Sequence, residues 1–227
     1  MATDRRDYEG EGLLETDLAP SPLAQVQAWV EQAQARHADR GDAPEPLSMA
    51  VATVDADGLP NVRAVLLRFL DERGLGFVTN TESAKAAELA ANPAVAATLV
   101  WPAMFRAIRV RGLAEPLDAD EVLGYFTERP WGSRVGAWAS RQSQPVADRA
   151  HLDAAYDAYA ARYPDRGGPQ DVPVPPYWGG YRIRCQEVEL WAGRSSRLHD
   201  RLVYASVTGQ PADLGDPGAW RVLRRQP

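Results

Sequence analysis

The sequence predicts an α+β protein built on an antiparallel β-barrel. Short runs rich in Val, Leu, Ile and Thr, punctuated by Asp-Gly and Arg-Gly turns, recur along most of the chain. Segments with apolar residues at helical spacing are inserted between them. With 227 residues, 45% hydrophobic content and seven Trp, the chain can bury one sizeable core.

The elements follow in order. Residues 1–20 are polar and Gly-containing and read as a flexible arm, leaving a single domain over 21–227. Ser21 is a good N-cap and Pro22 suits a first helical position, so "LAQVQAWVEQAQARHADR" is expected to be helical, ended by "GDAPEP". "LSMAVATV", "NVRAVLLRFL" and "LGFVTN", separated by "DADG" and "DERG", read as a three-stranded meander. "ESAKAAELAANP" reads as a short helix stopped by Asn-Pro, followed by strands "AVAATLVW" and "FRAIRVRGLAEPL". "DADEVLGYFTERP" has an acidic start and a proline stop, which predicts a helix, as does most of "PVADRAHLDAAYDAYAARY". After the loop "GGPQDVPVPP", the last strands are "YWGGYRIRCQEVELW", "LHDRLVYASV" and "WRVLRRQ".

Composition excludes several function classes. A net charge of −6 argues against nucleic acid or an anionic membrane as the main partner. No apolar run approaches the ~18 residues of a spanning helix, and "MATDRRDYEGEG" has charges where a signal peptide needs an apolar core, so a cytoplasmic location is expected. The lone Cys185 excludes an internal disulfide and reads as a strand side chain rather than a nucleophile. His37, His151 and His199 have no second ligand at metal-binding spacing, so no metal is expected. Nucleophile-elbow, P-loop and dinucleotide-binding patterns are absent, and "GLGFVTN" lacks the helix N-terminus that would hold a phosphate.

Arginines with hydroxyls and aromatics remain. Arg63 and Arg68 fall on opposite faces of a regular strand. "TERPWGS" gathers Arg129 and Ser133, with Tyr125 one turn before, a set able to hold a phosphate by charge-assisted hydrogen bonds. "SAK" places Ser83 and Lys85 at a helix start. In "WAGRSSRLHDR", Arg197, His199 and Arg201 alternate, which on a strand puts all three on one face.

These residues carry a resemblance. "RRDY", "VATVDADGLPNVRAVLLR", "FVTN", "SAK", "YFTERPWGSRVGAWASRQS", "PPYWGGYR", "WAGRSSRLHDR" and the terminal "RRQP" resemble the pyridoxine/pyridoxamine 5'-phosphate oxidase family over nearly the whole chain. The resemblance implies an FMN-binding split β-barrel with peripheral helices, homodimeric, with FMN in a cleft between subunits. It implies oxidation of pyridoxamine or pyridoxine 5'-phosphate by O2 to pyridoxal 5'-phosphate and H2O2. FMN contacts would fall on Arg63, Ala64, Val65, Leu66, Leu67 and Arg68, on Val78 and Thr79, on Ser83 and Lys85, on Gln142 and Ser143, and on Trp191 and Arg201. Arg68, Tyr125, Arg129 and Ser133 would meet the substrate phosphate. Arg197 and His199 would face the pyridine ring as catalytic residues, and Arg5 with Tyr8 would close over it. Arg suits phosphate and developing negative charge, whereas His can exchange a proton near neutral pH.

Three positions depart from the family pattern, which has Lys at Arg68, Arg at Ala84 and Gln at Ala107. Loss of an arginine–phosphate hydrogen bond would weaken FMN by about 1.5–3 kcal/mol if nothing replaces it. Two other readings fit the same residues: a related FMN oxidase acting on another substrate, such as the phenazine-forming relatives, and a non-catalytic carrier of FMN or pyridoxal phosphate.

Overall fold

The computed structural model describes residues 7–227; Arg5 lies outside the described residues. Helix α1 (Pro22–Arg40) starts as its sequence predicts: Ser21 Oγ accepts the Ala24 N–H at 3.3 Å, and Gly41 closes the helix at φ 68°. Nine strands form one antiparallel sheet: β1 (Ser48–Val54), β2 (Pro60–Leu66), β3 (Phe69–Asp71), β4 (Gly74–Asn80), β5 (Ala94–Trp101), β6 (Arg106–Pro116), β7 (Trp178–Ala192), β8 (Asp200–Ser206) and β9 (Trp220–Arg224). Their order is β2-β1-β5-β6-β7-β4-β3, with β8 on β7 and β9 on β8.

The sheet branches at β7. One edge of this 15-residue strand is covered by β6, while the other pairs with β4 through its first residues and with β8 through its last. The β6–β7 register slips between Arg111 and Gly112, and there a Cβ would lie 1.9 Å from the Arg184 carbonyl oxygen, so only glycine fits. Inward residues of the strands, among them Met49, Val51, Phe77, Leu99, Ile108 and Leu190, are fully buried in one core with α1. Cys185 belongs to that core, and burial pushes its thiol up to about 12, so it is an inert strand side chain.

The expected meander does not form, because the chain changes partner at Leu67–Arg68. Leu67 N–H reaches the Leu47 carbonyl at 2.9 Å, whereas Arg68 N–H reaches that of Gly76 at 2.8 Å. β2 therefore pairs with β1, and β3 with β4.

Helices α2 (Ala84–Ala91), α3 (Ala119–Glu128), α4 (Trp131–Ala139) and α5 (Arg149–Arg162) cover the sheet ends. α4 is absent from the sequence reading. It packs with α3 and α5 around Phe126, Val135 and Val172 under an aromatic cover of Trp131, Trp138, Tyr159 and Trp178. Arg182, 1% exposed, bonds Asp71 at 2.8 Å and Glu121 at 2.6 Å, tying α3 to β3 and β7.

The described part of the arm packs against the barrel. Leu13 is 5% exposed and its N–H donates to Asp200 at 2.9 Å, and the Tyr204 hydroxyl donates to the Ala19 carbonyl at 2.5 Å.

Candidate active site

The partner change at Leu67–Arg68 creates the site. In a regular strand Arg63 and Arg68 would face apart; with the break both line one cleft of about 570 Å³ between β2, β4, α2 and α3. Lys85 and Arg129 complete a set of four cations, and no carboxylate lines the walls.

The cations fall into two groups. Lys85, 7% exposed in the first turn of α2, donates to Gln142 Oε1 at 2.7 Å, Thr79 Oγ1 at 3.0 Å and Ser83 Oγ at 3.3 Å. Burial first and the neighbouring Arg63 second push its ammonium down to about 8, with Glu88 opposing. The Arg63 guanidinium is oriented by Thr53 Oγ1 at 2.5 Å, the Val51 carbonyl at 3.2 Å and Glu88 at 2.8 Å. Ser143, at φ 71°, accepts the Ala84 N–H at 3.2 Å, which holds residues 142–143 against the start of α2.

On the other wall, the Arg68 guanidinium lies 5.6 Å from the Tyr125 ring centroid and that of Arg129 lies 4.3 Å from the Trp178 ring. Arg129 Nη1 is buried without a hydrogen-bond partner. Burial lowers the Arg129 value, with Tyr125 opposing and Arg68 adding. A half-buried cation with an unsatisfied Nη1, beside a second arginine, is poised for an anion.

Ala64, Val65, Leu66 and Val78 also line this cleft, as the sequence reading expects. Leu67 points into the core instead, and Ser83 lies beneath Lys85 rather than on the wall. Ser133 is exposed on the first turn of α4, outside the lining. Asn61, Trp178 and the supporting Glu88 escaped the sequence reading. Glu88 sits three residues after Lys85, a spacing that could have marked it as a same-face partner.

The expected strand face of Arg197, His199 and Arg201 does not exist. Ser195–Arg197 is a 3-10 turn in which Ser196 and Arg197 take φ 57° and 60°, and β8 begins only at Asp200. Each left-handed residue costs about 1–2 kcal/mol, strain of a kind that collects at functional sites. Arg197 is exposed at the turn. His199 stacks in an aromatic corner, its ring 4.7 Å from Trp191 and 5.1 Å from Tyr8. Its Nδ1 accepts the Arg194 N–H at 3.1 Å, which places the proton of the neutral ring on Nε2. Arg201 is turned away onto Glu189, at 2.9 and 3.0 Å, and the Gln226 carbonyl at 3.0 Å. None of Tyr8, Trp191, Arg197, His199 and Arg201 lines the cationic cleft of the same chain. Ala107 pairs with Trp191 in the β6–β7 register, so that departure from the family pattern falls at the aromatic corner, whereas Ala84 lies on the cleft wall.

Comparison with known proteins gives this arrangement its setting. Residues 40–163 match the family model described as pyridoxamine 5'-phosphate oxidase, and residues 178–227 match the pyridoxine 5'-phosphate oxidase C-terminal dimerisation region. The pyridoxine/pyridoxamine 5'-phosphate oxidase of Kineococcus radiotolerans is 48% identical over 223 residues, covering 98% of this chain and 97% of that one. That of Streptomyces avermitilis is 48% identical over 226 residues, covering 100% and 96%. Among solved structures, PhzG from Burkholderia lata in complex with tetrahydrophenazine-1-carboxylic acid superposes with a TM-score of 0.80 at 28% identity, covering 96% of this chain and 99% of that one. An FMN-binding, pyridoxamine 5'-phosphate oxidase-related protein from Nostoc punctiforme, at TM-score 0.66 and 17% identity over 92% of this chain and 99% of that one, shares the fold. The fold is the split barrel expected, its β7–β9 region is the one that dimerises in the family, and the family's cofactor is FMN. The chain belongs to the pyridoxine/pyridoxamine 5'-phosphate oxidase family.

Proposed function

We propose that this protein oxidises pyridoxamine 5'-phosphate or pyridoxine 5'-phosphate with O2 to pyridoxal 5'-phosphate and H2O2, releasing ammonia from the amine, as a homodimer. One observation carries the reading: a carboxylate-free cleft with two separate groups of cations, Lys85 with Arg63 and Arg68 with Arg129. Two phosphate esters, one on the flavin and one on the substrate, are what such a cleft suits. The residues fit FMN: the buried Lys85, the Ser143 hydroxyl and the Arg63 guanidinium would hold its phosphate end, and Val65, Leu66 and Val78 offer apolar walls. When bound there, FMN would supply the hydride acceptor, with O2 as the final oxidant.

The chain's own residues would bind and orient. Arg129, with its free Nη1, and Arg68 would clamp the substrate phosphate beside the Tyr125 hydroxyl, spending binding energy on position. Among the described residues the cleft has no histidine and no carboxylate on its walls, so an imidazole that moves a proton would come from elsewhere. His199, on the turn before β8 in the dimerisation region, would meet the substrate ring from the second subunit, with its Nε2–H as donor and Arg197 beside it. Trp191 and Tyr8 would close the same side.

Purified protein should carry a yellow flavin spectrum and form pyridoxal 5'-phosphate from both vitamers with one H2O2 per turnover. A phenazine-type substrate is the second reading, favoured by the 0.80 TM-score to PhzG. The Arg68–Tyr125–Arg129 wall speaks against it, since an unphosphorylated tricycle has no use for a phosphate clamp. Turnover of a dihydrophenazine carboxylate, with none of the phosphorylated vitamers, would reverse the choice. Flavin binding without turnover of either would leave a carrier.

A further inference from the structure

The carboxylate next to His199 ties together three segments of the molecule. Asp200 is 7% exposed and accepts from three segments: the arm, β9 and the turn just before it. Leu13 of the arm donates its N–H at 2.9 Å, Arg224 of β9 donates Nη1 at 2.5 Å, and Arg194, at the start of the turn that carries Arg197 and His199, donates Nε. Burial pushes the carboxyl up, but the three donors outweigh it and hold it below the usual carboxylate range. The Arg194 backbone N–H is the donor that fixes His199 Nδ1. One residue therefore connects two anchors, its side chain on Asp200 and its main chain on the imidazole.

The arm is fitted to the same point. Gly12 stands at φ 80°, a backbone conformation that favours glycine, and packs against the Arg194 guanidinium. Arg224 in turn grips Glu15 at 2.8 and 2.9 Å and the Leu13 carbonyl at 3.1 Å. The left-handed pair Ser196–Arg197 is thus held between fixed ends, Arg194 and Asp200.

We propose that Asp200 is a positioning residue for catalysis: through Arg194 it sets the ring orientation and tautomer of His199 and the pose of Arg197, and it latches the N-terminal arm against that turn. The inference rests on the reading of His199 as a substrate-facing group. Asp200 touches neither the cationic cleft nor its lining, so its effect should spare the flavin.

The test uses the FMN-loaded protein and the variants Asp200→Asn and Arg194→Met. The second breaks the same link while leaving Asp200 with Leu13 and Arg224, and it decides the matter if the first does not fold. Both should lower kcat/KM for pyridoxine 5'-phosphate at least tenfold, mostly in kcat, with the FMN Kd within twofold of the parent. The imidazole 15N resonances supply a readout independent of turnover. The chain has three histidines, so His199→Ala identifies the His199 signals, and both variants should move Nδ1 from a hydrogen-bonded acceptor toward a mixed tautomer. A folded variant with parental kcat/KM and unchanged His199 resonances overturns the proposal, and so does FMN loss in step with activity. If His199→Ala itself turns over like the parent, the proposed function of His199 fails. The resonance shift in Asp200→Asn still reports whether the Asp200–Arg194–His199 link exists.

Discussion

FMN affinity should fall above about pH 8, and Lys85 should be the reason. Its ammonium is enclosed by Thr79, Ser83 and Gln142, and burial followed by Arg63 lowers its value from 10.5 to about 8, with Glu88 the only charge opposing. A phosphate dianion beside it stabilises the charged form, so the bound state keeps the proton to a higher pH than the free state. Binding above pH 8 must then take up a proton, and Kd should rise by up to about tenfold per pH unit. The rise is capped by the worth of one charged hydrogen bond, roughly 1.5–3 kcal/mol or about 10- to 150-fold. Folding stability responds in the opposite sense. The folded value lies below the ordinary one, so buried Lys85 destabilises the apoprotein below pH 8, and that penalty fades as pH rises from about 8 towards 10.5. Flavin fluorescence quenching between about pH 7 and pH 9.5 measures the Kd, with Lys85→Met as control. A flat Kd in the parent, or the same rise in Lys85→Met, would refute the reasoning.

Ala84→Arg should tighten FMN about tenfold or more by adding a phosphate donor on the cleft wall beside Lys85, with a gain that shrinks as salt is added; unchanged binding by fluorescence titration would show that Ser143 and the start of α2 already satisfy the phosphate. Arg129→Met should raise KM for phosphorylated vitamers at least tenfold while leaving the apoprotein Tm equal or higher, because it removes a half-buried cation whose Nη1 has no hydrogen-bond partner. Arg182→Met should lower the Tm by taking the buried partner from Asp71 and Glu121, which keep Arg73, a loss of about 1.5–3 kcal/mol by denaturant titration. Light scattering should give a dimer at flavin-binding concentrations; a monomer with full flavin occupancy would count against a site shared between subunits.

Where local pattern and tertiary pairing agree, the elements were legible. β1 and β5 alternate buried and open positions as their sequences do, and α1 carries its cap, its proline and its closing glycine in the sequence itself. "NVRAVLLRFL" gave no sign of its break, because the change of partner at Leu67–Arg68 is decided by Leu47 and Gly76, not by any turn residue. α4 was hidden by Gly132 and Gly136, which lower helix propensity, and it stands because Val135 and Trp138 pack against α3 and α5. The turn at 195–197 was equally hidden: Ser196 and Arg197 are not residues that announce a left-handed backbone, and what enforces it is the anchorage of Arg194 and Asp200. Arg201 was assigned to the flavin by family pattern, yet inside one chain it serves Glu189, a buried carboxylate that alternation on β7 placed out of view.

The residues assigned to the site divide along a physical line. Those that can hold phosphate, Arg63, Lys85, Arg68 and Arg129, share one cleft, and those that can move a proton or cover a ring, His199, Trp191 and Tyr8, share an aromatic corner built on the end of β7 and the turn before β8. A cleft with cations and a phenol can bind two phosphate esters but has no wall histidine or carboxylate to work with. The corner carries an oriented imidazole and an indole, but the pocket of about 250 Å³ beside it, lined by Tyr8 and Trp191 and not by His199, has Arg106 as its only cation among the described residues. Neither half makes an oxidase of a phosphorylated vitamer alone. The corner's Trp191 and His199 lie in the region that dimerises in this family, so two-fold association would bring the cleft of each subunit to the corner of the other. If the proposed function holds, dimerisation and catalysis would be inseparable, and the exposed Arg197 and the unpartnered Arg129 Nη1 would be two edges of one site.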